Sequence, residues 1–93
     1  MATNVRNNPA RLRYEILLDD RVVGIADYEV VGDTVVFPHT EIELPLRGQG
    51  LGAQLVRHAL DDVRRTGGKV VAHCWYVAEF IADHPEYADL AAT

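Results

Sequence analysis

The chain has 93 residues, 48% of them apolar, with 9 Lys or Arg against 14 Asp or Glu and a formal net charge of −5. Such a length builds one small domain, which buries roughly 60 to 65% of the surface its unfolded chain exposes and leaves no room for an added catalytic subdomain. The acid excess excludes a nucleic-acid track, which needs many cations to neutralise phosphates, and the single cysteine, Cys74, excludes an internal disulfide framework and a multi-cysteine zinc site.

No uninterrupted apolar run approaches the roughly 18 residues of a membrane span, and Asn and Arg stand where a signal peptide would carry its apolar stretch. The expectation is a cytoplasmic protein with no membrane and no nucleic-acid partner. Residues 1–10 are expected to be a flexible end, and residues 11–93 a single domain.

From residue 11 the chain alternates. Leu12, Tyr14, Ile16 and Leu18 share one face and Arg11, Arg13 and Glu15 the other, the period-2 pattern of a half-buried strand. Asp19 and Asp20 supply a turn. Val22, Ala26, Tyr28 and Val30 then predict the buried face of a second strand, with Asp27 and Glu29 opposite, and Gly32-Asp33 closes it. Residues 34–44 are interrupted by Pro38, which has no N–H for a ladder, so the stretch reads as two strands or as one strand with a bulge or bend near His39.

Beyond Pro45 the period changes. Leu51, Leu55, Val56, Ala59, Leu60 and Val63 recur at helical spacing while Gln54, Arg57, Asp61 and Arg64 fall outside, and Gly67-Gly68 ends the helix. Lys69 to Cys74 suits a buried strand, parallel to the one before Pro45 because a helix separates them. Tyr76, Val77, Phe80 and Ile81 predict a second helix stopped at His84-Pro85, with one more helical turn in residues 86–92.

Charge is unevenly spread. The net-positive stretch inside an otherwise acidic domain runs from Arg47 to Lys69, where glycines also gather. Arg47-Gly48-Gln49-Gly50-Leu51-Gly52 sits between a strand and the strong helix. Glycines there let several N–H groups converge at a helix amino terminus, where free donors and the helix dipole favour a phosphate. Alone this is a weak signal, since a tight connection with a solvated Arg47 satisfies it too. No Lys-Ser/Thr follows the last glycine as in a nucleoside-triphosphatase phosphate loop.

Arg47-x-x-Gly50-x-Gly52, preceded by His39 to Leu44 and followed by an amphipathic helix and a strand, resembles the acetyl-coenzyme A signature of the GNAT N-acetyltransferase superfamily. His39-Thr40-Glu41, Lys69-Val70-Val71, Cys74, Tyr76-Val77, Phe80-Ile81 and His84-Pro85-Glu86-Tyr87 are similar to the small single-domain YjdJ-like subgroup, over about Tyr14 to Leu90. That subgroup often has proline at the positions of Ala72 and Trp75. The resemblance implies an α+β fold of truncated GNAT type: a mixed, mostly antiparallel sheet of about five strands with two main helices. It implies acetyl-CoA as co-substrate and no metal. The pyrophosphate would rest on the backbone of Arg47, Gly48, Gln49, Gly50, Leu51 and Gly52, with the Arg47 and Gln49 side chains close by and Leu46 adjoining. The pantetheine arm would lie between the two parallel strands, and an N–H near Glu43 or Leu44 would meet the thioester oxygen.

Four residues are candidates for catalysis. Glu41, on the same strand face as Glu43, can take a proton from an amine, and the His39 imidazole can serve as a base. Their unremarkable alternatives are a charged strand rim and a satisfied histidine at a bend. Cys74 can be a nucleophile beside His39 or His73, or a small buried apolar residue shaping the pocket. Tyr76 can protonate the departing thiolate or be a core aromatic. Trp75 and Phe80 read as packing and His84 as a helix stop. The expected function is acetyl transfer to an amine, a protein lysine or a small cationic amine, because an open truncated site and an acidic face suit such acceptors. The alternative is a noncatalytic acyl-CoA sensor or protein-interaction module, for which the loop suffices and His39, Glu41 and Cys74 are not needed.

Overall fold

The computed structural model describes residues 2–92. Its strands are β1 (Thr3–Asn8), β2 (Arg13–Leu18), β3 (Arg21–Val31), β4 (Thr34–Ile42) and β5 (Lys69–Ala72), and its helices α1 (Leu51–Arg65) and α2 (Trp75–Asp83). Short 3-10 turns occupy Pro9–Arg11, Leu44–Leu46 and Pro85–Leu90. The sheet runs in the order β1-β2-β3-β4-β5, antiparallel except for the β4–β5 pair, which is parallel as the intervening helix requires. No described helix is long and apolar enough to cross a membrane.

The first residues depart from expectation. Thr3–Asn8 is an edge strand in full register with β2, from Thr3 opposite Leu18 to Asn8 opposite Arg13, and not a flexible end. Only Val5 in it is apolar and partly buried in the core; polar side chains hold the rest. Arg6 Nε and Arg13 Nε each lie 2.8 Å from a Glu15 carboxylate oxygen, and Asn8 donates to it at 3.2 Å. Glu15 is 1% exposed. Burial pushes its carboxyl up, but hydrogen bonds from Arg6, Arg13 and Asn8 outweigh that and leave it below the ordinary glutamate value. Met1 and Thr93, which begin and end the ranges expected from the sequence, lie outside the described residues.

Two further strand assignments shift. Leu12 adopts a left-handed conformation (φ 52°) before β2 and is half exposed, and Val30 is exposed, so neither joins the core. An irregularity opposite Ile16 and Leu17 turns Val23, not Val22, into the core at 2% exposure. Residues 34–42 form one strand with a bulge, so β1 supplies the fifth strand that a split of this stretch would have provided.

The core lies between one face of the sheet and α1. Leu55, Val56, Ala59, Leu60 and Val63 are almost completely buried against Tyr14, Ile16, Ala26, Phe37 and Val70. Full burial of each Leu contributes roughly 1.5 to 3 kcal/mol relative to exposure. Gly67 (φ 78°) closes α1, and the Gly68 N–H bonds Val63 O at 3.1 Å. His84 ends α2 by donating from Nδ1 to Phe80 O at 2.7 Å while its ring stacks on Phe80 at 3.9 Å. Arg64 ties the last turn down through Asp89.

Candidate active site

β4 and β5 pair only from Thr34↔Lys69 to Phe37↔Ala72. At that point the Phe37 carbonyl accepts two N–H groups, from His73 at 3.1 Å and Cys74 at 2.9 Å, and β5 turns away into α2. β4 continues alone on that side, and the gap is a slot of about 750 Å³. This is the size of a small-molecule site.

The bulge decides what faces the slot. His39 pairs with Asp27, but Val36 pairs with Glu29, so Phe37 and Pro38 together oppose Tyr28. Upstream, the carbonyls of Asp33 and Phe37 bond the β5 side. Downstream, Glu43 N–H bonds Val23 O at 2.9 Å, which makes Ile42–Gly24 a non-hydrogen-bonded pair and directs the Thr40 and Ile42 backbone groups toward the slot. Consistent with this, Ile42 O accepts from Arg47 Nε at 3.0 Å. Thus Glu43, one of the two expected donors beside Leu44, already spends its N–H in the ladder, and Thr40 and Ile42 carry the slot-facing amides.

Side chains follow the same alternation. Ile42 packs toward the core beside Ile16 in the space that Gly24 leaves empty; a β-carbon on Gly24 would collide with the side chains of both. His39 and Glu41 point the other way, 53% and 61% exposed, with His39 Nε2 3.3 Å from Glu41 Oε2. Thr40 faces Cys74, whose thiol donates to Thr40 Oγ1 at 3.6 Å.

At the loop end of the slot, Gly48 (φ 84°) and Gly50 (φ 82°) take backbone conformations that disfavour side chains. The first helical bond of α1 runs from Gln54 N to Gly50 O. The N–H groups of Leu51, Gly52 and Ala53 precede it and so have no partner within α1, and glycine at the cap offers no side chain to cover them. This is an anion-favouring terminus opening on the slot.

Cys74 is the residue before α2, 9% exposed. Burial pushes its thiol up, while backbone groups of Val77 and Tyr76, the Thr40 hydroxyl and Thr40 backbone hold it down, with a net position below the ordinary thiol value. Tyr76 lies over the start of α1, and its phenol is raised by burial and by the neighbouring Glu79 charge, so it keeps its proton at neutral pH.

The structure gathers His39, Glu41, Cys74 and Tyr76 around one slot, with Leu46, Arg47, Gly48, Gly50, Leu51 and Gly52 at its loop end. Three expected contributors are elsewhere. Glu43 turns to Arg21, with Arg21 Nη1 2.7 Å from its Oε2, Leu44 is 72% exposed, and neither they nor Gln49 lines the slot. Arg47 lines it but spends its Nε on Ile42 O. His39 and His73 share no hydrogen bond with the Cys74 thiol among the described residues; the partner is Thr40, which the sequence reading passed over. Trp75 is not packing: it is 75% exposed on the slot's rim. Among the described residues no three His, Cys, Asp or Glu side chains are grouped to hold a metal.

A parallel strand pair that parts beside an uncapped, glycine-led helix defines an acyltransferase-like fold of the GNAT kind. The chain belongs to the GCN5-related N-acetyl-transferase family, whose model matches residues 13–90. It is 32% identical over 85 residues to the protein NATD1 of Mus musculus, covering 87% of this chain and 76% of that one, and 32% identical over 91 residues to NATD1 of Danio rerio, covering 91% and 81%. Among solved structures, a GCN5-like protein of Staphylococcus aureus superposes with a TM-score of 0.74 at 19% identity, over 96% of this chain and 87% of that one. N-acetylglutamate synthase of Neisseria gonorrhoeae, solved with coenzyme A and N-acetyl-glutamate, gives 0.63 at 16% identity over 84% of this chain and 22% of that one. These likenesses establish the shared fold.

Proposed function

We propose that the chain binds acetyl-CoA in the slot and transfers its acetyl group to an amine. The observation that carries this reading is the end of the β4–β5 ladder at Phe37 and Ala72, which leaves the Thr40 and Ile42 N–H groups outside the ladder on a path leading to the uncapped α1 terminus. A ligand with an amide-bearing arm and a pyrophosphate matches both features, and the coenzyme A bound to one structural neighbour supports the choice.

In this reading Leu51, Gly52 and Ala53 N–H groups take the pyrophosphate. The amine nitrogen attacks the thioester carbon, forming the C–N bond and an oxyanion whose collapse breaks the C–S bond. Thr40 or Ile42 N–H steadies the oxyanion, His39, held by its contact with Glu41, accepts the ammonium proton, and Tyr76 returns a proton to the departing thiolate. Direct transfer is favoured over an acetyl-cysteine, because the Cys74 thiol bonds a hydroxyl and not a base.

Calorimetry with acetyl-CoA, followed by intact-mass measurement with and without an amine, tests this. Binding without an adduct, and acetylated amine as product, is the expected result. A Cys74-dependent acetyl adduct that an amine discharges would replace direct transfer by the covalent route. Binding with no product across an amine panel would leave an acyl-CoA sensor, and no binding would overturn the reading.

A further inference from the structure

Trp75 is the only tryptophan of the chain and is left 75% exposed, beside Cys74 at 9% and Val77 at 1%. A helix start that buries its neighbours so well has no packing use for this indole. Its ring is held edge-on to Tyr76, with centroids 5.9 Å apart at 76°, and it lines the same slot as Glu41 and His39. Glu41 meets no Lys or Arg among the described residues; its ion-pair partner is His39. Arg47, the one Lys or Arg lining the slot among the described residues, is held at its loop end by the bond from Nε to Ile42 O. An exposed indole and a carboxylate with no Lys or Arg partner, lining one slot, are the groups that bind an organic cation.

A chemical constraint narrows the ligand. The nitrogen that attacks a thioester must be neutral, so it cannot also be the charge that these groups hold. Resting on the transferase reading above, we propose that Trp75 and Glu41 form an acceptor-specificity rim for a linear diamine or polyamine. One nitrogen reacts in the slot, and a second, still protonated, sits against the indole and the Glu41 carboxylate.

The test uses the full chain and the fluorescence of its single tryptophan. Titration with 1,4-diaminobutane should give a saturable change in emission, and 1-aminobutane a much weaker one. In acetylation assays Trp75→Ala should raise the diamine KM about three- to thirtyfold with kcat little changed, while Trp75→Phe retains most of the affinity. Acetyl-CoA affinity, read by calorimetry, should be the same in all three proteins, which also checks that the variants fold. Equal emission changes with both amines, an unaltered KM in Trp75→Ala, or a clear preference for a peptide with two adjacent lysines would each overturn the proposal. The two readings fail separately: loss of acetyl-CoA binding removes the transferase, whereas active transfer that treats diamine and monoamine alike removes only the rim.

Discussion

The hydroxyl of Tyr76 lies 2.5 Å from the place where a β-carbon on Gly52 would stand, so the second residue of α1 and the second residue of α2 fit together only because one of them has no side chain. Gly52→Ala should therefore push the Tyr76 ring out of the slot. The expected cost is about 1 to 3 kcal/mol of stability and at least a tenfold loss in acetyl-CoA affinity, on the order of 1.4 kcal/mol. Tyr76→Ala in the same chain should restore most of the stability. Denaturant melts and calorimetry of the two single variants and the double one check this; additive effects would refute the fit.

The Cys74 thiol should ionise below the ordinary cysteine value, followed by ultraviolet thiolate absorbance across pH. Thr40→Val keeps the shape and removes the hydroxyl, and the titration should then move upward. An unmoved midpoint would show that Thr40 does not set the thiol.

Glu15 makes the domain acid-sensitive in a defined window. Its folded carboxyl titrates below the ordinary 4.5, so its stabilisation is complete above that value and fades as pH falls through the folded one. Glu15→Gln should cost about 1 to 3 kcal/mol at neutral pH and flatten the acid limb of a stability–pH curve. A variant whose curve parallels the parent's would count against the Arg6–Glu15–Arg13 group as the source.

Tyr14 does the converse in alkali. Burial, with a smaller push from Tyr28 against a pull from Arg65, raises its phenol to about 12, and its hydroxyl donates to Asp62 Oδ2 at 2.5 Å. Its contribution is whole below pH 10, the unfolded value, and is lost as pH climbs through about 12. Tyr14→Phe should lower stability at neutral pH by about 1 kcal/mol and reduce the alkaline slope, leaving the part due to Tyr76 and Tyr87.

Much of this was legible in the sequence because burial along α1 leaves a period that can be read, whereas β2 is buried on both faces from Tyr14 to Leu17. Leu55 to Val63 repeat at helical spacing since one face of the helix covers the sheet, and the glycines before it announce a tight turn at its start. β1 was hidden for the opposite reason: with Val5 its single core contact, its pairing rests on cross-strand partners such as Asn7, whose Oδ1 accepts from the Tyr28 hydroxyl at 2.8 Å. Trp75 was misjudged because helical spacing tells which residues share a face and not whether anything covers it. That the Glu43 N–H is used in the ladder could not be read, because Pro38 signals an interruption without saying which strand carries the extra residue.

That extra residue has a consequence for any attempt to re-engineer the chain. A strand with a repeat of two has a phase, and the bulge at residues 37–38 resets it midway along β4. Flattening the bulge with every residue kept would slide each later position one place along β3 and exchange inside for outside: His39 and Glu41 would turn under α1, and the Thr40 and Ile42 amides would close onto β3, whereas deleting Pro38 would leave the pairs from His39↔Asp27 to Ile42↔Gly24, and their faces, as they are. A slip of one residue at the bulge thus separates a five-stranded sheet with an open seam from the same sheet sealed.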